Sequence, residues 1–255
     1  MTRKIAFVNE KGGSCKTTLA VNIASYLANQ GRKTLLIDMD PQGQVGKSLG
    51  MDVLAIDPSI YEVLINPKIA ARDAVLPTSI ENLSVIAANK TLVDFSVTAA
   101  ADEDRVFKLK EKLDPLRGFD YIIIDSPPSL GLLTLNIMMA AREIVIPVSL
   151  TFLALDGCSE IVETVENVKK TYNKRDLKVS LVVPTLYRRT NLADAILAKL
   201  REFFGDKVSE AVIGYNVAID EAQSFGQTIW QYAPSSRGAE MLRALAEEIE
   251  AQKVE

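Results

Sequence analysis

The segment from residue 11 to residue 18 carries the residue types best suited to chemistry. It follows the apolar run 5–8 and reads, in order, Lys11, Gly12, Gly13, Ser14, Cys15, Lys16, Thr17 and Thr18. Glycines let a backbone turn tightly and point successive N–H groups at an anion, and the start of a helix adds positive charge. Lys16 is expected to reach the β- and γ-phosphates of a nucleotide, and the Thr17 hydroxyl to ligate Mg²⁺. The segment therefore predicts a loop that binds the phosphates of ATP, rather than a glycine turn with two surface lysines.

This segment is a variant of the usual phosphate-loop pattern. The pattern G-x-x-x-x-G-K-[ST] needs glycine at two positions that Glu10 and Cys15 occupy here. A strand before the loop and an apolar-periodic helix after it still favour the prediction. Cys15 has two interpretations: a reactive thiol whose pKa the helix start lowers, or, as we favour, a small side chain beside backbone that faces phosphate. If the position requires a glycine-only backbone angle, nucleotide affinity would suffer.

Two further segments end in aspartates that suit the same site. Asp38 and Asp40 follow the apolar run 34–37, and Asp125 follows the apolar run 121–124. In open α/β sheets, ligands bind at the carboxyl ends of the strands, so these carboxylates are expected beside the phosphate loop. Asp125 is suited to holding the water shell of Mg²⁺. An aspartate after a strand is often only a turn residue, but two such segments in a chain with a phosphate loop favour a Mg²⁺–nucleotide site.

Short apolar runs alternate with helical patterns along the chain. Strands are predicted over residues 4–9, 34–38, 83–87, 121–125, 143–147, 179–183 and 211–213. Helices are predicted over residues 17–28, 60–64, 105–113, 157–171, 192–204 and 238–251. Continuously apolar strands separated by helices are typical of a mostly parallel sheet buried on both faces. The predicted fold class is therefore α/β: a doubly wound, mostly parallel sheet flanked by helices, in a single domain over residues 1–255.

Composition narrows the function classes. The 255 residues include no histidine, which excludes Ser-His-Asp and Cys-His catalysis and histidine metal sites. The formal charge of -4 is not that of a polybasic nucleic-acid binder, although it is compatible with a local basic patch. Cys15 and Cys158 are too few for a disulfide framework and indicate reduced thiols. No apolar run is long enough to span a bilayer and no signal peptide is evident, so a cytoplasmic protein is expected.

Taken together, these segments resemble the ParA/Soj group of deviant Walker-type ATPases, within the ParA/MinD superfamily. The matching stretches are Lys11-Gly-Gly-x-x-Lys-Thr-Thr, Asp38-Met-Asp-Pro-Gln-Gly, Asp125-Ser-Pro-Pro-Ser-Leu-Gly-Leu-Leu-Thr, Arg189-Thr-Asn-Leu, Phe204-Gly-Asp-Lys-Val and Arg237-Gly-Ala-Glu. The resemblance runs from about residue 5 to residue 248, which is nearly the whole chain. In combination the stretches are far more specific than any single motif.

The resemblance implies a homodimer that closes around two ATP molecules. Lys11 would cross the interface to the partner's phosphates, in a role that parallels an arginine finger. Asp40 would position or polarise the attacking water, while Lys16, Thr17 and Asp125 keep the roles given above. Hydrolysis in such families is slow until a partner protein stimulates it, so the ATP state acts as a timer. ATP, Mg²⁺ and a ParB-like or other activating partner are therefore expected.

The resemblance also implies that the ATP dimer binds DNA without sequence preference. Arg188 and Arg189 stand in a matching segment and are the predicted contacts, so nucleoid association is expected. The next segment departs from the family: residues 214–218 read Gly-Tyr-Asn-Val-Ala where relatives usually read Pro-Arg-Asn-Val-Arg, so arginines are missing at positions 215 and 218. Because each lost cation removes a contact that releases counterions, DNA binding should be weaker or moved to other cations. The candidates are Lys199, Arg201, Lys207 and Arg237.

Other functions are compatible with parts of the pattern. A membrane-bound positioning ATPase like MinD needs a basic amphipathic tail, whereas acids flank the apolar stripe of the last helix here, so no membrane binding is expected. An iron–sulfur reductase of the nitrogenase type needs cysteine ligands that this chain lacks. A small-molecule synthetase needs an acceptor pocket, to which nothing in the sequence points. A ParA-like ATPase that positions another cargo, such as the division site, a chemoreceptor cluster or carboxysomes, stays open beside DNA partition.

Overall fold

The computed structural model describes residues 2–151 and 154–252. The strands of this part form one sheet and are β1 (Arg3–Phe7), β2 (Thr34–Asp38), β3 (Leu76–Pro77), β4 (Leu83–Ile86), β5 (Tyr121–Asp125), β6 (Glu143–Ser149), β7 (Lys178–Tyr187) and β8 (Ile213–Gly214). Their order is β3-β4-β2-β5-β1-β6-β7-β8, and only β3 with β4 pairs antiparallel. In this register Asp38 lies beside Asp125. The predicted fold class is confirmed.

Helices make the crossovers that parallel strands require. In the described residues they are α1 (Lys16–Asn29), α2 (Gln44–Ser48), α3 (Ile60–Ile65), α4 (Phe95–Thr98), α5 (Lys108–Leu113), α6 (Leu132–Ala140), α7 (Ala154–Thr171), α8 (Asn191–Phe204), α9 (Val217–Ser224), α10 (Ile229–Tyr232) and α11 (Arg237–Ala251). One core layer joins the sheet to α1, α9, α10 and α11, and the other joins it to α3 through α8. Of the predicted domain 1–255, residues 1, 152–153 and 253–255 lie outside the described residues.

Most predicted elements lie where the sequence pattern placed them. Two need their bounds corrected, and the elements that the sequence did not predict are β3, α2, α4, α6, α9 and α10. The helix predicted over 105–113 begins at Lys108, because the residues before it form turns closed by bonds such as Phe107 N to Asp104 O. The strand predicted over 211–213 is Ile213–Gly214, because the Ala211 N–H donates to a glutamate side chain of α11 instead of a neighbouring strand. Helix α6 went unpredicted because most of its residues are buried and it lacks a polar face with a 3.6-residue period.

The last helix packs its apolar stripe into the core. Leu242, Leu245 and Ile249 are buried, as the interpretation of this stripe as core predicted. The Arg3 guanidinium forms a buried ion pair with Glu143 at 2.7 Å and also donates to the backbone oxygen of Ile249 at 2.7 Å. This contact ties α11 to the sheet where β1 begins. None of the helices of the described residues has the length and apolarity needed to cross a membrane.

Candidate functional site

The loop predicted to bind phosphates connects β1 to α1. Gly13 has a φ of +72° and Cys15 a φ of +70°, both in the left-handed region. Helix α1 begins at Lys16, and no side chain caps its first turn. The first N–H groups of a helix have no partner within the helix and attract anions. The loop therefore has the backbone geometry of an anion site.

Cys15 adopts the backbone conformation that the usual pattern reserves for glycine. Its φ of 70° and ψ of 21° are left-handed, a conformation that costs a side chain with a Cβ roughly 1–2 kcal/mol. Burial raises the pKa of its thiol to about 11, so the thiol is protonated at neutral pH. This environment opposes the reactive-thiol interpretation and favours a tolerated small side chain. It also identifies the position as one where glycine would fit without strain.

Thr17 and Asp125 meet directly below the loop. The Thr17 hydroxyl donates to Asp125 Oδ2 at 2.6 Å, while Asp125 Oδ1 has no protein partner although the residue is fully buried. Burial raises the pKa of Asp125 to about 7, and the bond from Thr17 and the charge of Lys16 oppose this shift. Lys16 is itself buried, which lowers the pKa of its ammonium group, and it donates to the Lys11 carbonyl at 3.2 Å. A hydroxyl beside a carboxylate with an unused oxygen suits a hard divalent cation.

The two aspartates after β2 have different surroundings. Asp38 is fully buried, and it accepts from the N–H groups of Asp40 at 2.9 Å and Val45 at 3.1 Å. Burial, together with nearby Asp125, raises the pKa of Asp38 well above its usual value. Asp40 is 9% exposed and accepts from the Gln42 N–H at 2.9 Å. Asp38 thus shapes the turn into α2, whereas Asp40 presents its carboxylate at the edge of the site.

Lys11 lies at the rim of the loop rather than inside it. Its backbone N–H donates to Asn9 Oδ1 at 2.9 Å, and its Nζ donates to Thr151 Oγ1 at 2.7 Å. Thr151 follows the end of β6, so the ammonium group is bound at the carboxyl end of that strand, whereas Asp125 accepts its side-chain bond from Thr17. In the single chain the Lys11 ammonium group is therefore bound to a residue outside the loop.

Buried polar atoms without a hydrogen-bond partner cluster at this site. In the described part of the chain, such side-chain atoms are Ser14 Oγ, Ser25 Oγ, Asp125 Oδ1 and Ser126 Oγ. All except Ser25 belong to the phosphate loop or to the end of β5. Buried polar groups are nearly always hydrogen-bonded, so such a cluster indicates groups that a ligand or its bound cation would satisfy. The sequence analysis named Ser14 and Asp125 but missed Ser126, because a serine after a strand carries no signal by itself.

The predicted arginines lie at a second surface, near the ends of β7 and β8. The Arg188 guanidinium lies 4.7 Å from the centroid of the Tyr215 ring, a cation–π contact. Arg189 and Arg237 line a cleft of about 680 Å³ together with Tyr215 and Asn216. None of these three arginines takes part in an ion pair within residues 2–151 and 154–252.

The segment that departs from the family therefore adjoins the predicted arginines. Tyr215, at one of the missing-arginine positions, holds Arg188 by stacking, a contact that the sequence analysis did not foresee. Of the other candidate cations, Arg237 joins the cleft, while Arg201 on α8 lies 3.8 Å from Glu210. The cleft lining does not include Lys199 or Lys207. The structure thus brings together Arg188, Arg189 and Arg237.

The alternative chemistries find little support in the geometry. Cys158 is fully buried in α7, where burial raises the pKa of its thiol to about 12, so it is not an exposed cluster ligand. A cavity of about 780 Å³ lies between α3 and α5, and its lining shares no residue with the phosphate loop. An acceptor pocket for a synthetase would need to adjoin the transferred phosphate, which this cavity does not.

Comparison with known proteins agrees with this geometry. A family model described as an AAA domain matches residues 2–179. Chromosome partitioning protein ParA of Myxococcus xanthus is 40% identical over 249 residues, covering 97% of this chain and 87% of the relative. Sporulation initiation inhibitor protein Soj of Bacillus subtilis is 38% identical over 252 residues, covering 98% of this chain and 99% of the relative.

A solved structure has the same fold at similar identity. Cobyrinic acid a,c-diamide synthase of Mycobacterium smegmatis with bound ADP and magnesium superposes with a TM-score of 0.84 at 33% identity, covering 98% of this chain and 94% of that one. Three observations point to the same family: the fold, the position of the loop between β1 and α1, and the relatives that match almost end to end. The chain belongs to the ParA/Soj family of partitioning ATPases.

Proposed function

We propose that the chain is a Mg²⁺-dependent ATPase that switches between nucleotide states. The observation that carries this proposal is the Thr17–Asp125 hydrogen bond, which leaves Asp125 Oδ1 buried and unpartnered beneath the phosphate loop. Thr17 and Asp125 would hold Mg²⁺ directly or through water. A Mg²⁺ ion held there would supply positive charge close to the phosphates. The solved relative with ADP and magnesium supports the same site.

The remaining residues of the site have separable tasks in hydrolysis. The N–H groups of residues 12–18 cradle the phosphates, and Lys16 places its ammonium group against them. Asp40 orients the attacking water, because its carboxylate is held by the Gln42 N–H at the edge of the site. Asp38 holds that segment in place through its two backbone bonds. Phosphoryl transfer requires little covalent chemistry from the protein, so the hydrolysis rate depends on how the residues position the reactants and stabilise charge.

The switch acts through a homodimer in this proposal. In the single chain the Lys11 ammonium group donates to Thr151 Oγ1. In a dimer closed around two ATP molecules, the same ammonium group would reach the partner's phosphates and add the cation that the developing charge needs. Hydrolysis would remove that attraction, and the dimer would separate. A ParB-like partner would set the timing by stimulating hydrolysis.

The output of the switch is binding to DNA without sequence preference. Arg188, Arg189 and Arg237 form a surface of three guanidinium groups that lack ion pairs among the described residues. Arginines of this kind bind phosphates by charge and bidentate hydrogen bonds. The relative from Myxococcus xanthus is a chromosome partitioning protein, which favours DNA as the cargo over other positioned structures. A dimer that binds the nucleoid only with ATP would partition chromosome or plasmid DNA.

Co-sedimentation with random-sequence DNA across a salt series tests the proposal. The Asp40→Ala protein is used with ATP, with ADP and without nucleotide, so that hydrolysis does not empty the ATP state. Binding should require ATP and fall steeply with salt, and Arg188→Ala with Arg189→Ala should make that fall less steep, by about one unit of log–log slope per lost contact. Lys170→Ala, an exposed lysine on α7, is the control. If ATP drives dimerisation but the dimer does not bind DNA, the DNA-binding part of the proposal is wrong and the nucleotide switch still stands.

A further inference from the structure

Gln223, in the last turn of α9, bonds to two segments of the nucleotide site. The Thr18 hydroxyl donates to Gln223 Oε1 at 3.1 Å, and Gln223 Nε2 donates to Ser48 Oγ at 3.4 Å. Thr18 is the last residue of the phosphate-loop segment and lies in the first turn of α1. Ser48 ends α2, which follows the turn that carries Asp40. One amide side chain therefore uses both of its ends to bridge these segments.

The contact to Ser48 reaches the Asp40 segment through a fixed turn. Asp38 accepts from the Asp40 and Val45 N–H groups, so the start of α2 is fastened to the end of β2. Ser48 is 5% exposed, three residues after Val45. A short helix held at one end by Asp38 and at the other by Gln223 has little freedom to move. The position of the Asp40 carboxylate therefore depends on both anchors.

Backbone packing reinforces the same junction. A Cβ placed on Gly226 would lie 2.7 Å from the Cα of Gly50, far closer than a real contact allows. The two glycines follow α9 and α2, and both have positive φ values, of +64° and +72°. The loops after these helices consequently touch backbone to backbone. Movement of either loop toward the other is blocked, because their backbones are already in contact.

The other end of α9 begins at the arginine surface. Asn216 caps the helix by accepting from the Ala218 N–H at 3.1 Å, and Tyr215 directly precedes it. Tyr215 is the ring on which Arg188 stacks. The helix has 8 residues and so spans about 12 Å. Helix α9 thus connects the nucleotide site to the Arg188–Tyr215 contact with one short rigid element.

We propose that Gln223 is a positioning residue that couples the nucleotide site to α9. It aligns the Asp40 segment with the phosphate loop, and it transfers any change in that alignment to the helix that begins at Tyr215. The inference rests on the proposed function, since it takes nucleotide as the ligand of the loop. A ligand that orders residues 12–18 and the Asp40 segment then also orders α9. By linkage, whatever orders α9 from its other end favours the bound nucleotide equally.

Three variants separate the two bonds of Gln223. Gln223→Met keeps the length of the side chain and removes both bonds. Gln223→Glu keeps the acceptor for Thr18, and its carboxylate can accept a bond from the Ser48 hydroxyl in place of the one it donated, whereas Ser48→Ala removes only the contact to α2. Ser224→Ala is the control, because Ser224 is exposed on the same helix and its hydroxyl bonds only to the Asp220 carbonyl among the described residues.

Hydrogen exchange followed by mass spectrometry measures the coupling. In the parent and in Ser224→Ala, Mg²⁺ with a non-hydrolysable ATP analogue should slow exchange in residues 12–18, in α2 and in α9. Gln223→Met should keep the slowing in residues 12–18 and lose it in α9. Gln223→Glu, which can keep both contacts, should behave as the parent, whereas Ser48→Ala should keep the slowing in α9, through Thr18, and lose it in α2. The steady-state ATPase of Gln223→Met should show a lower kcat with KM little changed, since the phosphate loop is intact.

The outcomes distinguish this inference from the proposed function. If the analogue slows exchange at residues 12–18 of the parent, but α9 is unaffected or Gln223→Met matches the parent, the coupling role of Gln223 is wrong. If residues 12–18 of the parent show no response, the proposed nucleotide site is wrong. Should Gln223→Met lower the thermal midpoint so far that it unfolds, Ser48→Ala against Ser224→Ala decides: equal slowing of exchange in α2 of these two variants would overturn the proposal.

Discussion

Thr17 Oγ1 lies 2.6 Å from Asp125 Oδ2, although 108 residues of sequence separate the two. The bond joins the start of α1 to the end of β5 and leaves the second carboxylate oxygen without a protein partner. Because β5 lies between β1 and β2 in the sheet, the carboxylate comes directly under the loop that β1 begins. This contact places a hydroxyl and a carboxylate, which are ligands that a divalent cation prefers, next to the phosphate loop.

Replacing Thr17 with Val should remove the effect of Mg²⁺ on nucleotide binding. With ligand at about 100 times its Kd, MgATP should stabilise the parent by about 2.7 kcal/mol, and most of this gain should be absent from Thr17→Val. Urea unfolding with ATP and Mg²⁺, with ATP and EDTA, and without ligand measures the three states. Thr164→Val, whose hydroxyl bonds only to a backbone carbonyl of α7 among the described residues, should behave as the parent. Equal stabilisation of Thr17→Val by MgATP would show that this hydroxyl is not a cation ligand.

The Cys15 thiol should react slowly with alkylating reagents at neutral pH. Its pKa of about 11 lies above the roughly 8.5 of an ordinary thiol, so at any pH below 11 a smaller fraction is thiolate. The thiolate of a thiol with a higher pKa is intrinsically more nucleophilic, which offsets part of this effect. Near pH 8 the Cys15 thiol should therefore react at least about tenfold more slowly than an ordinary thiol. Glutathione serves as the reference thiol. The alkylation rate of Cys15 should still rise above pH 9, where the alkylation rate of glutathione levels off. Mass spectrometry of the peptide that contains Cys15, sampled over time, measures the rate, and a rate equal to that of glutathione at pH 7 would restore the reactive-thiol interpretation.

Lys11→Ala and Thr151→Ala should act oppositely on ATP-dependent dimerisation. Lys11→Ala removes the cation proposed to cross the interface, so dimers should be lost while the single chain still binds ATP. Thr151→Ala removes only the hydroxyl that holds Lys11 in the single chain, so dimers should form at least as readily. Sedimentation velocity with the Asp40→Ala background and ATP measures the dimer fraction. Dimers of undiminished stability in Lys11→Ala would refute the interfacial role of this lysine.

Replacing Arg3 with Met should destabilise the fold strongly. Glu143 would remain buried without its cation, a change that costs about 3–5 kcal/mol, and α11 would lose the bond to its Ile249 carbonyl. Urea unfolding should show this loss, and pairing Arg3→Met with Glu143→Leu should recover much of it because no charge is then left buried. Arg32→Met, at an exposed pair with Glu250, should have little effect because solvent screens that pair. A small loss in Arg3→Met would mean that water reaches Glu143 in the native state.

The sequence by itself determined the parts of the molecule that depend on neighbouring residues. A glycine-rich loop between an apolar run and a helical pattern is local, as are the aspartates at the ends of apolar runs. Continuous apolar strands alternating with helices also specified the fold class, because only a sheet covered on both faces buries them. Where the periodicity was absent, as in Leu132–Ala140, the prediction missed the element because that segment is buried on most sides.

Only the tertiary structure decided which distant side chains meet. Strand order places Asp125 beneath the loop, and the packing of α9 against α2 brings Gln223 to Ser48 across 175 residues. The stacking of Arg188 on Tyr215, and the bond between Lys11 and Thr151, likewise join segments whose separation has no sequence signal. Such pairs depend on three-dimensional packing and hydrogen-bond geometry, whereas sequence pattern reports period and burial. Candidate binding residues could therefore be named from motifs, but the contacts that position them required the folded chain.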